Sequence, residues 1–105
     1  MARSKSDLGS FTEPALLILV SLAAGPKHGY AMMDDISRIA EVKIGPGTLY
    51  GALARLEQRG YIRPLEADDR RRPYQITAAG SAVLREQLSA MESFANTGLA
   101  RLRPT

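Results

Sequence analysis

Apolar residues recur along this chain in four patterns of different period. Between residues 15 and 24 they are nearly continuous, with Leu16, Leu17, Ile18, Leu19, Val20 and Leu22 interrupted only by Ser21. Pro14 opens that run and Gly25-Pro26 closes it. The pattern predicts a first helix, apolar almost all the way round and buried on more than one side, in part by a second copy of the chain. Thr12 is its expected N-cap. From His28 to Ala40 the apolar residues Met32, Met33, Ile36, Ile39 and Ala40 recur at three and four. That predicts an amphipathic second helix with Asp34, Asp35 and Arg38 facing away. Glu41-Val42-Lys43-Ile44 alternates and predicts a short strand.

Gly45-Pro46-Gly47 then starts a third helix over about Pro46–Arg59, with Leu49, Ala52, Leu53 and Leu56 as its inner stripe and Gly60 as its stop. Tyr61–Glu66 and Tyr74–Ile76 are two short runs around a polar, basic tip. They predict a hairpin, with Pro64 on an edge strand. Thr77 should cap a last helix from Ala78 to about Leu102, roughly 35 Å long and longer than the body it leaves. Within it Leu84, Leu88, Met91, Ala95 and Leu102 fall on a heptad seam. Gly98 interrupts the seam, so Asn96–Gly98 is where fraying or a kink is expected.

The order is helix, helix, helix, hairpin, long helix: mainly α with a small β-hairpin, a winged helix-turn-helix with a long C-terminal dimerisation helix. Residues 1–10 read as a flexible arm, 11–77 as the winged helix-turn-helix domain and 78–105 as the dimerisation helix. Length agrees with one domain, at 105 residues. With no cysteine and one histidine, disulfides and thiolate metal sites are excluded, and an enzyme has little to build a catalytic site from. No cofactor or metal is expected. The longest apolar run is about half a membrane span, and the N-terminus does not read as a leader, so a cytoplasmic protein without membrane contact is expected.

The net charge of +3 decides little; its distribution decides more. Arg70-Arg71-Arg72 is the densest positive cluster, set directly after Asp68 and Asp69. A helix fits the major groove of DNA, and a basic hairpin can reach the flanking backbone. Placing Leu49, Leu53 and Leu56 inward, at about 100° per residue, turns Gly47, Thr48, Gly51, Ala54, Arg55 and Gln58 outward. That face is small, polar and basic, with no acid at its centre. Thr48, Tyr50 and Arg55 are candidates for groove contact, and Gly47 for close approach. The three wing arginines are candidates for phosphate contact, as are Lys27, His28 and Tyr30 at the start of the second helix. For His28 a turn-stabilising role is equally open. For Tyr50 the alternative is packing on the helix flank.

Five motifs occur in order: Gly25-Pro26-Lys27-His28-Gly29-Tyr30, Gly45-Pro46-Gly47-Thr48-Leu49-Tyr50, Leu53-Ala54-Arg55-Leu56-Glu57, Gly60-Tyr61-Ile62 and the run from Arg71 through Pro73, Tyr74 and Thr77 to Gly80. Over residues 15–80 the chain resembles the PadR-like transcriptional regulators, in a compact subgroup with a single C-terminal dimerisation helix. The resemblance implies a dimeric repressor on a palindromic, double-stranded operator, with the last helix packed on the partner chain. Leu17, Val20, Leu84, Leu88, Met91, Ala95 and Leu102 are the expected dimer residues. Some compact members hold flat apolar compounds between the chains, on an aromatic of this helix. The matching positions here are about Met91 and, one turn on, Phe94, which makes a small apolar effector a candidate partner. Gly51 and Pro73 depart from residues common in the family at those places, which bears on base preference. A winged helix that binds protein and not DNA is the alternative reading.

Overall fold

The computed structural model describes residues 13–67 and 70–104. The arm over 1–10, Thr12, Asp68 and Asp69 lie outside the described residues.

Helix α1 spans Pro14–Ala23, with Glu13 in the N-cap position and Pro14 in the first turn. Glu13 makes no side-chain cap bond, so proline's pre-set φ does the local work of starting the helix. Residues 15–19, Ser21 and Leu22 are all buried, and they are covered by α2, α3, α4 and β2 of the same chain. Most of α1 is thus buried within one copy, and Val20 remains only partly covered. Ser21 is the one polar residue in this core, and its hydroxyl donates to Asp35 Oδ2 at 2.7 Å. Asp35 thus turns toward α1, contrary to the outward position expected for it. The Lys27 ammonium donates to the Ser21 carbonyl at 2.5 Å, a cation on the carbonyl end of α1.

Helix α2 spans Gly29–Ile39 and buries Met32 and Ile36. Ile39 is exposed, so the apolar face ends one turn earlier than its spacing predicts. Arg38 pairs with Asp34 at 3.1 Å on the solvent side. The segment 41–44 forms no strand. Glu41 sits at φ +54, which breaks an extended run. Val42 and Ile44 still turn toward the core while Lys43 faces out, so the alternation reports packing without a backbone partner.

Helix α3 spans Pro46–Gln58 and buries Leu49, Ala52, Leu53 and Leu56. It ends in a paired stop: Gly60 N–H donates to the Glu57 carbonyl and Tyr61 N–H to the Leu56 carbonyl, both at 3.0 Å. Gly60 sits at φ +79, where a side chain would be strained.

Strands β1 (Ile62–Pro64) and β2 (Tyr74–Ile76) pair antiparallel, with Ile62 opposite Ile76 and Pro64 opposite Tyr74. Arg63 holds the Gln75 side-chain oxygen across the ladder at 2.8 Å. Lys27 extends the sheet by one residue, exchanging both backbone bonds with Tyr74. The wing is thereby tied to the turn before α2.

Helix α4 spans Ala78–Leu102 without a break, so the helix continues through Asn96–Gly98, where fraying is expected from the sequence. Thr77 caps it: its hydroxyl oxygen accepts from Gly80 N–H at 3.0 Å while its O–H donates to the Gly60 carbonyl at 2.6 Å. One side chain thus fixes α4 to the end of α3. Leu84 is buried, Leu88 and Met91 lie along α1, and every residue from Glu92 to Pro104 is exposed. The molecule measures 59 × 27 × 27 Å, its long axis set by that projecting helix.

Candidate nucleic-acid interface

The stripe that buries α3 leaves Gly47, Thr48, Tyr50, Gly51, Ala54, Arg55 and Gln58 exposed on its opposite side. Glycine and alanine there keep the surface low, so another backbone or a base edge could come close. Arg55 reaches back to the Gly51 carbonyl at 3.4 Å and remains exposed.

Tyr50 leaves this exposed row at an angle. Its hydroxyl lies against Gly29, so close that a Cβ at residue 29 would collide with the phenol. Glycine at the first position of α2 is therefore what lets Tyr50 lean across from α3. Tyr30 follows it in sequence and stands 72% exposed, which removes a core role for its ring.

These residues meet the wing in one cleft. It has a volume of about 340 Å³ and is lined by His28, Gly29, Tyr30, Tyr50, Arg70, Arg71, Arg72 and Tyr74. Two groups of candidates separated by forty residues of sequence, the start of α2 and the wing arginines, thus share one surface. Three aromatic rings, three guanidinium groups and the N-terminus of an eleven-residue helix face it. Cation, backbone N–H and phenol are the donor types that hold phosphate. The arginines are not equally mobile. Arg72 donates to the Leu65 carbonyl at 3.1 Å, and Arg71 Nη1 lies 3.2 Å from His28 Nε2. Arg70, at φ +70, forms the bend that returns the chain to β2.

His28 stands in the N-cap position of α2, its Nδ1 facing Ala31 N–H with the two nitrogens 3.4 Å apart. Lys27 is drawn away from the cleft: its ammonium sits on the Ser21 and Gly25 carbonyls, at 2.5 and 3.4 Å. A helix end with no other cation in its last turn has taken it, and that is why it is absent from the cleft lining.

Tyr74 is the member that sequence reasoning missed, because it was absorbed as a strand residue. Burial pushes its hydroxyl above the ordinary tyrosine value, the Glu57 charge adds to this, and Arg72 opposes it. Its signal lay in being the first residue of β2, at the root of the wing.

The expected dimer residues divide. Leu17 and Leu84 are only 5% and 6% exposed in one copy, so most of each belongs to the core, and what remains of Leu17 lines an apolar groove beside Val20. Val20, Leu88 and Met91 line an apolar groove of about 420 Å³ with Leu16, Ile39, Ala40 and Val42. Ala95 and Leu102 are exposed beyond it. Phe94, expected beside Met91 in an effector pocket, is not part of that lining and stands 82% exposed. It lies on the part of α4 that has already left the body. Among the described residues no three His, Cys, Asp or Glu side chains cluster as a metal site, and no helix is long and apolar enough to cross a membrane.

Residues 18–86 match the transcriptional regulator PadR-like family. The chain belongs to that family. A PadR-like protein is a transcription regulator, not an enzyme, and DNA-binding regulation is what membership implies. The chain is 39% identical over 83 residues to the transcriptional regulator Rv3488 of Mycobacterium tuberculosis, covering 76% of this chain and 77% of that one. It is 46% identical over 76 residues, 72% of its length, to an uncharacterised 37.1 kDa protein in a transposon of Streptomyces fradiae. It spans only 22% of that larger protein. A transcriptional regulator structure from Clostridium thermocellum superposes with a TM-score of 0.73 at 27% identity, over 89% of this chain and 94% of that one. A PadR family regulator from Clostridium difficile has the same fold, with a TM-score of 0.77 at 20% identity over 90% and 100% of the two chains. The winged helix with a long last helix is thus the fold of this PadR-like chain.

Proposed function

We propose that this PadR-like chain is a homodimeric repressor of an inverted-repeat operator. Helix α3 of each copy enters a major groove, the two grooves roughly 34 Å apart. Thr48 and Tyr50, with Arg55, face the base edges, and Gly47 and Gly51 allow the approach. His28, Tyr30 and Arg70–Arg72 hold the backbone beside it. Lys27 acts indirectly, by fixing the turn that carries His28 and pairs with Tyr74. The DNA-binding unit is 11–77, and α4 is the dimerisation element. A small apolar effector between the copies would alter the spacing of the two reading helices from the groove lined by Val20, Leu88 and Met91.

The observation that carries this reading is the single cleft that unites the start of α2, Tyr50 of α3 and the wing arginines. It adjoins an outward face of α3 made of small, polar and basic residues. Phosphate contacts register a reading helix, and base contacts then select sequence. Changing Arg70, Arg71 and Arg72 to alanine tests it. Weaker binding to all duplexes, with a flatter dependence of affinity on salt, is expected. Unchanged DNA binding would overturn the assignment of the wing.

A further inference from the structure

His28 makes two contacts that a neutral imidazole cannot satisfy together. Its Nδ1 accepts from Ala31 N–H, and its Nε2 faces Nη1 of Arg71, which is only a donor. A neutral ring has one bare nitrogen. Either Nδ1 is bare and caps α2, leaving an N–H opposed to the guanidinium, or Nε2 is bare and holds Arg71, leaving an N–H opposed to Ala31. The two geometries are unequal. The cap bond is long at 3.4 Å, and the Arg71 contact is shorter at 3.2 Å and has a charged donor. Charge-assisted bonds are about twice as strong as neutral ones. The free protein should therefore keep its ring proton on Nδ1 and its wing drawn to α2.

We propose that His28 is a positioning residue that holds Arg71 in the free protein and releases it to a DNA phosphate by changing tautomer. This rests on the DNA-binding reading above. A phosphate oxygen is a far better acceptor for a guanidinium than a neutral imidazole. Once Arg71 turns to it, Nε2 no longer needs to be bare. The ring gives its Nδ1 proton to solvent and takes one at Nε2, so it stays neutral and no net proton is bound. Nδ1 then accepts from Ala31 and completes the α2 cap. The new Nε2–H points into the cleft, where it donates to the same phosphate as Arg71. DNA binding thereby removes an internal conflict and firms the helix end that borders Tyr30 and Gly29. Among the described residues, the side chains that share the cleft with the ring are Tyr30, Tyr50 and Tyr74 with Arg70, Arg71 and Arg72.

The chain has one histidine, so nitrogen-15 spectra of the untagged protein report this ring without assignment. At pH 8 an ordinary imidazole is neutral, and its bare and protonated nitrogens are well resolved. The free protein is expected to show Nδ1–H, the protein bound to duplex DNA Nε2–H, and free Arg71→Ala already Nε2–H. A free ring already protonated at Nε2, or an Arg71→Ala ring still protonated at Nδ1, overturns the link to the wing. A ring carrying both protons in either state overturns it as well. Binding with an unchanged tautomer overturns the release to phosphate and leaves the DNA reading standing. Failure to bind any duplex overturns that reading, and the release with it.

Discussion

At the scale of single residues, several small groups hold large parts together. Gly80 is the clearest. It lies in the first turn of α4 with no room for a side chain, since a Cβ would run into the Tyr61 carbonyl and the Ile76 side chain. Gly80→Ala should therefore lower stability by about 1–3 kcal/mol, as forced overpacking does, measured by urea unfolding. The opposite result, a gain from better helix propensity, would mean that α4 does not sit this close to the wing. Tyr74 makes a second prediction. Its hydroxyl titrates above the ordinary tyrosine value because it is partly buried, so the folded state holds that proton more tightly than the unfolded state. The stability this gives is complete below the unfolded tyrosine value, near 10, and is lost as pH rises through the higher folded value. Wild-type protein should thus lose stability more steeply in alkali than Tyr74→Phe. Parallel curves for the two proteins would contradict the burial of that hydroxyl.

At the scale of elements, α3 carries a local cost on its outer face. Gly51 is mid-helix and exposed, and a Cβ there would meet only the flexible Arg55 guanidinium, 3.9 Å away. Gly51→Ala should stabilise the protein by about 1 kcal/mol. If α3 meets DNA at this place, the same change should weaken duplex binding, and greater stability with unchanged affinity would exclude close approach at Gly51. Much of the element scale was legible in the sequence. The inner stripe of α3, the Gly60 stop, the Thr77 cap and the bounds of α4 all follow from local rules, because capping groups and apolar period act over a few residues. What was not legible depends on distant partners. The turn of Asp35 toward Ser21 and the lean of Tyr50 over Gly29 are cross-element contacts, whereas the capture of Lys27 by the end of α1 is local but depends on how the turn folds back. The segment 41–44 shows the same limit: alternation revealed which side chains pack inward, but a strand also needs a neighbour.

At the scale of the whole molecule, the distal half of α4 is what one copy leaves unfinished. Phe94 and Leu102 are 82% and 81% exposed on a helix whose base is firmly capped and packed. An apolar groove beside Val20 and Met91 is open on the same molecule. Under the homodimer reading, Phe94→Asp with Leu102→Asp should yield a monomer by light scattering. That monomer should still unfold cooperatively, because neither side chain packs on the α1–α3 body, but at a lower temperature that no longer depends on concentration. A dimer that survives both substitutions would move the interface elsewhere. A monomer should also bind a half-site only weakly, since a two-fold operator gains its affinity from both reading helices.

Under the proposed function, the α3 face and the α2–wing cleft together read DNA. The most direct measurement is the affinity of the full chain for duplex DNA from upstream of its own gene, beside a scrambled duplex, across a series of salt concentrations. Selective binding by a dimer is expected, with affinity falling steeply as salt rises. Equal, weak binding to both duplexes would contradict it and leave only the attraction of a basic surface for a polyanion.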